Sequence, residues 1–286
     1  MMLCLQEIID TSRNKLKLAS IQSANIDSVL LLSYILGVSR EYLITHSQEV
    51  ISEKNCLDYF AIIDRRIKGE PVSKILGKKE FYGRDFIVNS DVLDPRPDSE
   101  LIIDTAKELF SNRNEKLKFL DLGTGSGCLL LTLLLEFRDA RGVGIDISEK
   151  AIEVAKRNSY LHALNDRGSF VISDWLDSIK FEDFNLIVCN PPYIPDEDIN
   201  DLNKDVKLYD PIVALSGGND GLRYYKKIIT QLKKKNLNKK IIFIMELYSD
   251  SADAIIKLMI NAGYEANTIK IRQDLSNKRR VMFTDL

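Results

Sequence analysis

The sequence predicts an α/β fold, a doubly wound and mainly parallel seven-stranded sheet preceded by a small all-helical domain. Three observations carry that expectation. From residue 99 onward, short β-rich runs alternate with amphipathic helical patterns. One of those runs flows into three alternate glycines, Gly123, Gly125 and Gly127, where a helix should begin. Before residue 75 the apolar residues recur only at helical spacing.

Composition narrows the chemistry. At 286 residues the chain is long for one core, and ~150 residues per domain suggests two. Lys and Arg number 40 against 42 Asp and Glu, a net charge of −2 that gives no general attraction to a polyanion. Four scattered cysteines, Cys4, Cys56, Cys128 and Cys189, suit neither a disulfide framework nor a paired-cysteine zinc site. The only histidines, His46 and His162, are far apart, so zinc hydrolysis and Ser-His-Asp chemistry are disfavoured and no metal is expected. The longest greasy stretch, Cys128 to Leu135, is far short of the ~20 residues that cross a bilayer. No basic start leads into an apolar segment, and a cytoplasmic chain is expected.

Residues 1–78 form the expected helical domain. Leu5, Ile8, Ile9, Leu16 and Leu18 mark a first helix, and Ile26 to Leu36 a second that stops at Gly37. Asp58 to Ile67 carries Tyr59, Ile62, Ile63 and Ile67 on one face, until Gly69-Glu70-Pro71 breaks it. Residues 79–95 are expected to be a bridging β-hairpin, Phe81-Tyr82 and Phe86-Ile87-Val88 around a Gly83-Arg84-Asp85 turn. Pro95 and Pro97 end the bridge, and Asp98 or Ser99 is placed to cap the next helix. In residues 96–286, strands are expected at 119–122, 142–145, 170–172, 186–189, 241–245, 268–271 and 281–284. Helical patterns at 127–138, 148–158, 221–234 and 250–262 fall between most of them. Such a sheet binds ligands at the carboxyl ends of its strands.

The run from Phe119 to Gly127 is a strand, a glycine loop and a helix start. Its Gly-x-Gly-x-Gly spacing departs from the Gly-x-Gly-x-x-Gly of dinucleotide sites. Asp121, two residues before the first glycine, suits a ligand with a cationic amino-acid end; bracing the loop is the alternative role. Asp146 ends the second strand, where a carboxylate can accept both hydroxyls of a ribose or merely be solvated. Ser173-Asp174-Trp175 follows the third strand. There the single Trp can wall an adenine, with Asp174 near the exocyclic amine, or sit in the core. In one βαβαβ unit these signals describe an adenosine ligand that needs no phosphate, S-adenosylmethionine. The cofactor set is Asp121, Gly123, Thr124, Gly125, Ser126, Gly127, Asp146, Asp174, Trp175 and Asn190.

Asn190-Pro191-Pro192-Tyr193 ends the fourth strand, beside that site. An amide or aryl amino nitrogen is a poor nucleophile because its lone pair is delocalised. Two acceptors on its two N–H groups can hold it and turn the lone pair toward a methyl donor. The Asn190 side-chain oxygen and the Pro191 carbonyl are the candidates, and prolines stiffen the turn without adding an N–H. Pro192 and Tyr193 complete the substrate contact, with Tyr193 covering a planar group.

Gly123 to Gly127, Asp146, Trp175 and Asn190 to Tyr193 resemble class I methyltransferases that modify a planar amino nitrogen. Nearly the whole chain is similar to the release factor glutamine methyltransferases (PrmC/HemK), through Phe81-Tyr82-Gly83, the Arg96 to Glu100 segment, Asp274-Leu275 and Arg279-Arg280-Val281. Arg96 to Glu100 looks like that family's Arg-Pro-Glu-Thr-Glu run, not the equivalent in its ribosomal-protein relative. The resemblance implies a Rossmann-like methyltransferase sheet and a helical substrate-recognition domain. It also implies methylation of the Gln amide in the Gly-Gly-Gln motif of class I peptide chain release factors, with S-adenosylhomocysteine as product. A monomer with no DNA or membrane partner is expected. A DNA adenine methyltransferase, or a glutamine methyltransferase of a ribosomal protein, is the alternative. One departure stands out: the family's Glu-Ile-Gly is Glu246-Leu247-Tyr248 here, which questions the local loop geometry. Two charged stretches complete the inventory. The acidic run from Asp196 to Asp210 is either a mobile flap over the substrate or a plain loop, and the basic run from Arg223 to Lys240 either a solvated helix end or a contact for nucleic acid or a partner's acidic face.

Overall fold

The computed structural model describes residues 3–180, 183–235 and 240–286. The chain divides into two compact units: residues up to Gly77 together with Asn203–Tyr209, and the remainder from Lys78 onward.

The first unit is helical. Its elements are α1 (Leu5–Leu18), α2 (Ala24–Leu36), α3 (Arg40–Thr45), α4 (Glu53–Ile67) and α5 (Val72–Leu76). Gly37 closes α2 at a left-handed φ of 65°, as its position in the pattern suggested. Ser52 caps α4 by accepting from the Asn55 N–H, so that helix begins five residues before Asp58, where the apolar face starts. The helices α3 and α5 were not anticipated, being too short to display a period. Leu5, Ile8, Leu16, Leu31, Leu32, Tyr59 and Ile63 form the core. Inside it Arg66 Nε meets Asp27 Oδ2 at 2.7 Å, with both side chains buried, and Ser23 donates to the same oxygen at 2.7 Å.

The second unit opens with an antiparallel hairpin, β1 (Lys78–Phe81) and β2 (Arg84–Ile87). Its turn is Tyr82-Gly83, with φ of 53° and 72°, the two positive values a tight hairpin turn demands. Arg84 and Asp85, expected in the turn, instead pair with Phe81 and Glu80. The Glu100 carboxylate holds this turn by accepting the Tyr82 N–H at 2.8 Å. Asn158 bonds both the N–H and the carbonyl of Ile87, so the hairpin is part of the second unit.

The sheet follows: α6 (Glu100–Leu109), β3 (Lys118–Leu122), α7 (Cys128–Glu136), β4 (Arg141–Asp146), α8 (Glu149–Leu161), β5 (Gly168–Ile172) and β6 (Leu186–Cys189). The chain continues through α9 (Lys204–Tyr209, in the first unit), α10 (Arg223–Lys233), β7 (Ile242–Glu246), α11 (Ala252–Asn261), β8 (Lys270–Gln273) and β9 (Arg279–Asp285). Strand order is β5-β4-β3-β6-β7-β9-β8, the first five parallel and the last two antiparallel to their neighbours. This is the doubly wound α/β sheet that the sequence predicts. Strand β8 starts two residues later than expected, because Thr268 is held in a turn by the Glu265 carbonyl. Among the described residues, no helix is long and apolar enough to cross a membrane.

Register decides where the site lies. Leu122 pairs with Ile145 and with Cys189, and Cys189 with Met245. One residue further along each strand, Gly123, Asp146, Asn190 and Glu246 therefore come level at the carboxyl edge. Successive strands leave β3 in opposite directions, through β4 and β5 on one side and β6 and β7 on the other. The crevice between β3 and β6 is the topological switch point where such sheets bind ligands.

Asp27→Ala strands the Arg66 guanidinium in the first unit's core. It is expected to cost about 3–5 kcal/mol, read as an earlier urea midpoint for loss of far-UV helicity.

Candidate active site

A cavity opens at that crevice. Its wall includes Gly123, Gly125, Asp146, Asp174, Trp175, Asn190 and Pro192, joined by Val92, Leu93, Val213 and Tyr224. Seven of the residues named from sequence thus share one surface.

The glycine loop is built by close approach. Gly123, Gly125 and Gly127 have φ of 72°, 54° and 81°. A Cβ on Gly123 would touch the Trp175 ring at 3.5 Å, and one on Gly127 would press Ala155 at 3.2 Å. Thr124 and Ser126 brace the loop from within and are not on the wall. The Thr124 N–H donates to Ile145 at 2.8 Å and its hydroxyl to Asp121 at 2.6 Å, while the Ser126 carbonyl accepts from Asn158.

Asp121 lies beneath this loop, fully buried. Burial pushes its carboxyl up to about 7, against the pull of the Thr124 hydrogen bond. The bracing role is present, yet it uses only Oδ2. The other oxygen, Oδ1, is buried with no hydrogen-bond partner among the described residues. An unpartnered buried acceptor is costly, and a cationic group reaching the loop would satisfy it. Asp146 stands ready on the wall: its oxygens accept the N–H groups of Gly125 and Ser148, each at 2.9 Å, which fixes the carboxylate while leaving lone pairs for hydroxyls. Its carboxyl is raised by burial. Trp175 leans on Tyr224, centroids 5.3 Å apart, and offers an aromatic wall. Asp174 is paired with Lys227 at 2.5 Å.

The Asn-Pro-Pro-Tyr turn sits on the other side. Gly217 and Gly221 clamp it from behind, since a Cβ on Gly221 would come within 2.5 Å of the Tyr193 carbonyl. Asn190 Nδ2 donates to Ser99 Oγ at 3.0 Å, and Ser99 Oγ donates to Glu246 Oε2 at 2.5 Å. Ser99 is therefore not the helix cap expected of it; a single turn of 3-10 helix, Pro97–Ser99, leads into α6 without a side-chain cap bond. Glu246 is buried, and loss of water raises its carboxyl to about 7 despite the Ser99 bond. Tyr193 is not on the cavity wall; its ring stacks on Tyr248 at 5.6 Å and 14°. Tyr248 itself has ordinary extended backbone, φ −74° and ψ 120°, so the residue in place of glycine is accommodated without strain. Pro191 is buried in the turn.

Ser99, Glu246, Gly217 and Gly221 were not among the candidates. Glu246 carried a signal as the first residue of the Glu-Leu-Tyr departure, and Ser99 as part of the Arg96 to Glu100 segment. The acidic stretch is ordered into a 3-10 turn, Asp198–Asp201, and α9, and Asp210 pairs with Arg96 at 2.6 Å. In the basic run, Lys226 and Lys227 pair with Asp220 and Asp174, and Lys239 lies outside the described residues.

Comparison with known proteins adds an independent line. Residues 7–77 match the PrmC N-terminal domain and residues 97–205 the methyltransferase small domain. The release factor glutamine methyltransferase of Caulobacter vibrioides is 35% identical over 282 residues, covering 99% of this chain and 96% of the relative. The bifunctional methyltransferase of Rickettsia felis is 31% identical over 97% of this chain, which spans only 57% of that longer protein. Among solved structures, the N-terminal domain of human METTL16 in complex with SAH shares the fold at a TM-score of 0.51, with 15% identity over 88% of this chain and 93% of that one.

Asp121 supplies a test of the site's electrostatics. An acid that holds its proton more tightly when folded favours folding at low pH. With a usual value of 3.8 and a folded value of about 7, its contribution is full at low pH, is lost as pH rises across that interval, and is flat above it. Urea melts of the ligand-free protein at about pH 5 and about pH 8 should show a smaller loss for Asp121→Asn than for the wild type.

Proposed function

The chain belongs to the release factor glutamine methyltransferases, and from that premise we propose its reaction. It transfers a methyl group from S-adenosylmethionine to the side-chain amide nitrogen of the Gln in the Gly-Gly-Gln motif of class I peptide chain release factors. The observation that carries this reading is one shared wall: Asn190 and Pro192 of the turn face the same cavity as Gly123, Gly125 and Asp146.

The residues suit the donor. The unpartnered Asp121 Oδ1 would answer its ammonium, the fixed Asp146 carboxylate its ribose hydroxyls, and Trp175 with Tyr224 its adenine. Asn190, with Gly123 and Gly125, would line the space between. When bound, S-adenosylmethionine supplies a methyl on a positively charged sulfur, so carbon–nitrogen bond formation accompanies carbon–sulfur cleavage.

What the protein adds is placement. Asn190 commits Nδ2 to Ser99, which leaves Oδ1 as the carboxamide atom available to accept a substrate N–H. The Pro191 carbonyl is the second acceptor, and neither proline offers an N–H that would compete. Held by both hydrogens, the amide nitrogen keeps its lone pair directed toward the methyl and releases one proton as the product forms. No strong base is needed for that loss.

In this reading residues 1–78 recognise the release factor and 96–286 carry the transfer, with the 79–95 hairpin built onto the second unit, in a monomer working in the cytoplasm. DNA is disfavoured as substrate by the net charge of −2.

Incubation with donor and a class I release factor should leave one added methyl on the Gly-Gly-Gln peptide, located by mass spectrometry. Label appearing in DNA adenine alone would reverse the assignment. Asn190→Ala should lower kcat by ~10²–10³-fold, while calorimetry finds donor affinity within about twofold of wild type.

A further inference from the structure

Three polar groups from distant parts of the chain form one line at the edge of the sheet. Ser99 stands 91 residues from Asn190 and 147 from Glu246. It bonds both, and it is 3% exposed while Glu246 is 1% exposed. Val188 and Ile244 lie in the core layer that holds Ile102 and Ile103 of α6. Two residues further along their strands, Asn190 and Glu246 point to that same side, where the start of α6 brings Ser99 between them.

We propose that Ser99 and Glu246 are positioning residues which dictate the end of the Asn190 carboxamide that meets the substrate. The proposal rests on amide methylation as read above and specifies how its acceptor is set. Above about pH 7, where Glu246 is ionised, its carboxylate has no hydrogen to give, so the one hydroxyl hydrogen of Ser99 goes to Glu246. Ser99 Oγ then has only lone pairs for its other neighbour. Asn190 must turn its NH2 to Ser99 and, by the geometry of an amide, its Oδ1 the other way.

Without this chain the two ends of an asparagine side chain are nearly equal in shape, and rotation about its last bond exchanges them. The wrong orientation would set an NH2 against the substrate NH2, donor against donor. Burial excludes water from Ser99 and Glu246, so no solvent molecule can stand in for either. A buried acid contributes little to folding by itself, which leaves direction as what Glu246 supplies.

Two readouts separate positioning from simple packing. Ser99→Ala should lower kcat for release factor methylation by about tenfold or more, with the release factor KM and donor affinity unchanged. Ser99→Thr, which keeps the hydroxyl, should recover most of the rate. Glu246→Gln, whose amide can donate or accept, should fall between them. Independently of turnover, NMR of the donor-free protein should show the Asn190 side-chain NH2 pair, identified by its loss in Asn190→Asp. That pair should move and exchange faster with water in Ser99→Ala, but not in Ser99→Thr. Wild-type kcat in Ser99→Ala, equal losses in Ala and Thr variants, or an unmoved NH2 pair would each overturn the proposal. Failure of the wild type to methylate any release factor would refute the substrate assignment instead, and the NMR comparison would still judge the orientation.

Discussion

Parallel strands that end at the same height are the constraint from which the site follows. Leu122, Ile145, Cys189 and Met245 are tied by ladder hydrogen bonds, so the residues after them have no freedom to drift apart along the sheet. Gly123, Asp146, Asn190 and Glu246 each come from a separate stretch of sequence, and the register makes them neighbours. Backbone contact then sharpens the arrangement. The loop after β3 turns at Gly123 with a positive φ and packs on Trp175, and the Asn-Pro-Pro-Tyr turn is pressed by Gly217 and Gly221. A methyl transfer to a weakly nucleophilic nitrogen asks little of acid–base chemistry and much of geometry, which is what rigid strand ends supply.

The electrostatics of the same edge point to use, not to stability. Asp121 and Glu246 are both buried, and burial raises both carboxyls to about 7. Groups held this way weaken the fold as pH rises, and a chain selected only for stability would replace them. Asp121 retains an oxygen with no partner among the described residues, whereas Glu246 is engaged by Ser99. In the proposed reaction the first would answer a cation from outside, and the second acts inward on the protein's own hydrogen bonds.

Much of this was legible in the sequence because its signals are local. A strand running into Gly-x-Gly-x-Gly, an acid at the end of the next strand and Asn-Pro-Pro-Tyr after a buried strand each sit within a few residues, and the cavity gathers them. Four things were not legible. Short helices such as α3 and α5 have no room for a period. The hairpin turn fell one residue earlier than composition suggested, because Tyr82 tolerates positive φ once Glu100 holds its N–H. Ser99 offered a ready local explanation as a helix cap, but its hydroxyl is spent across the fold on Glu246. A contact spanning 147 positions leaves no trace in spacing. The stacking of Tyr193 on Tyr248 was hidden for a similar reason, since Tyr248 lies on another strand end.

A crystal structure of this protein with S-adenosylhomocysteine and a Gly-Gly-Gln peptide would test the central claim most directly. The Gln amide nitrogen should lie between Asn190 Oδ1 and the Pro191 carbonyl, with Asn190 Nδ2 still on Ser99 and the nucleoside against Asp146 and Trp175. A nucleoside bound elsewhere, or an Asn190 that offers its NH2 to the peptide, would contradict it.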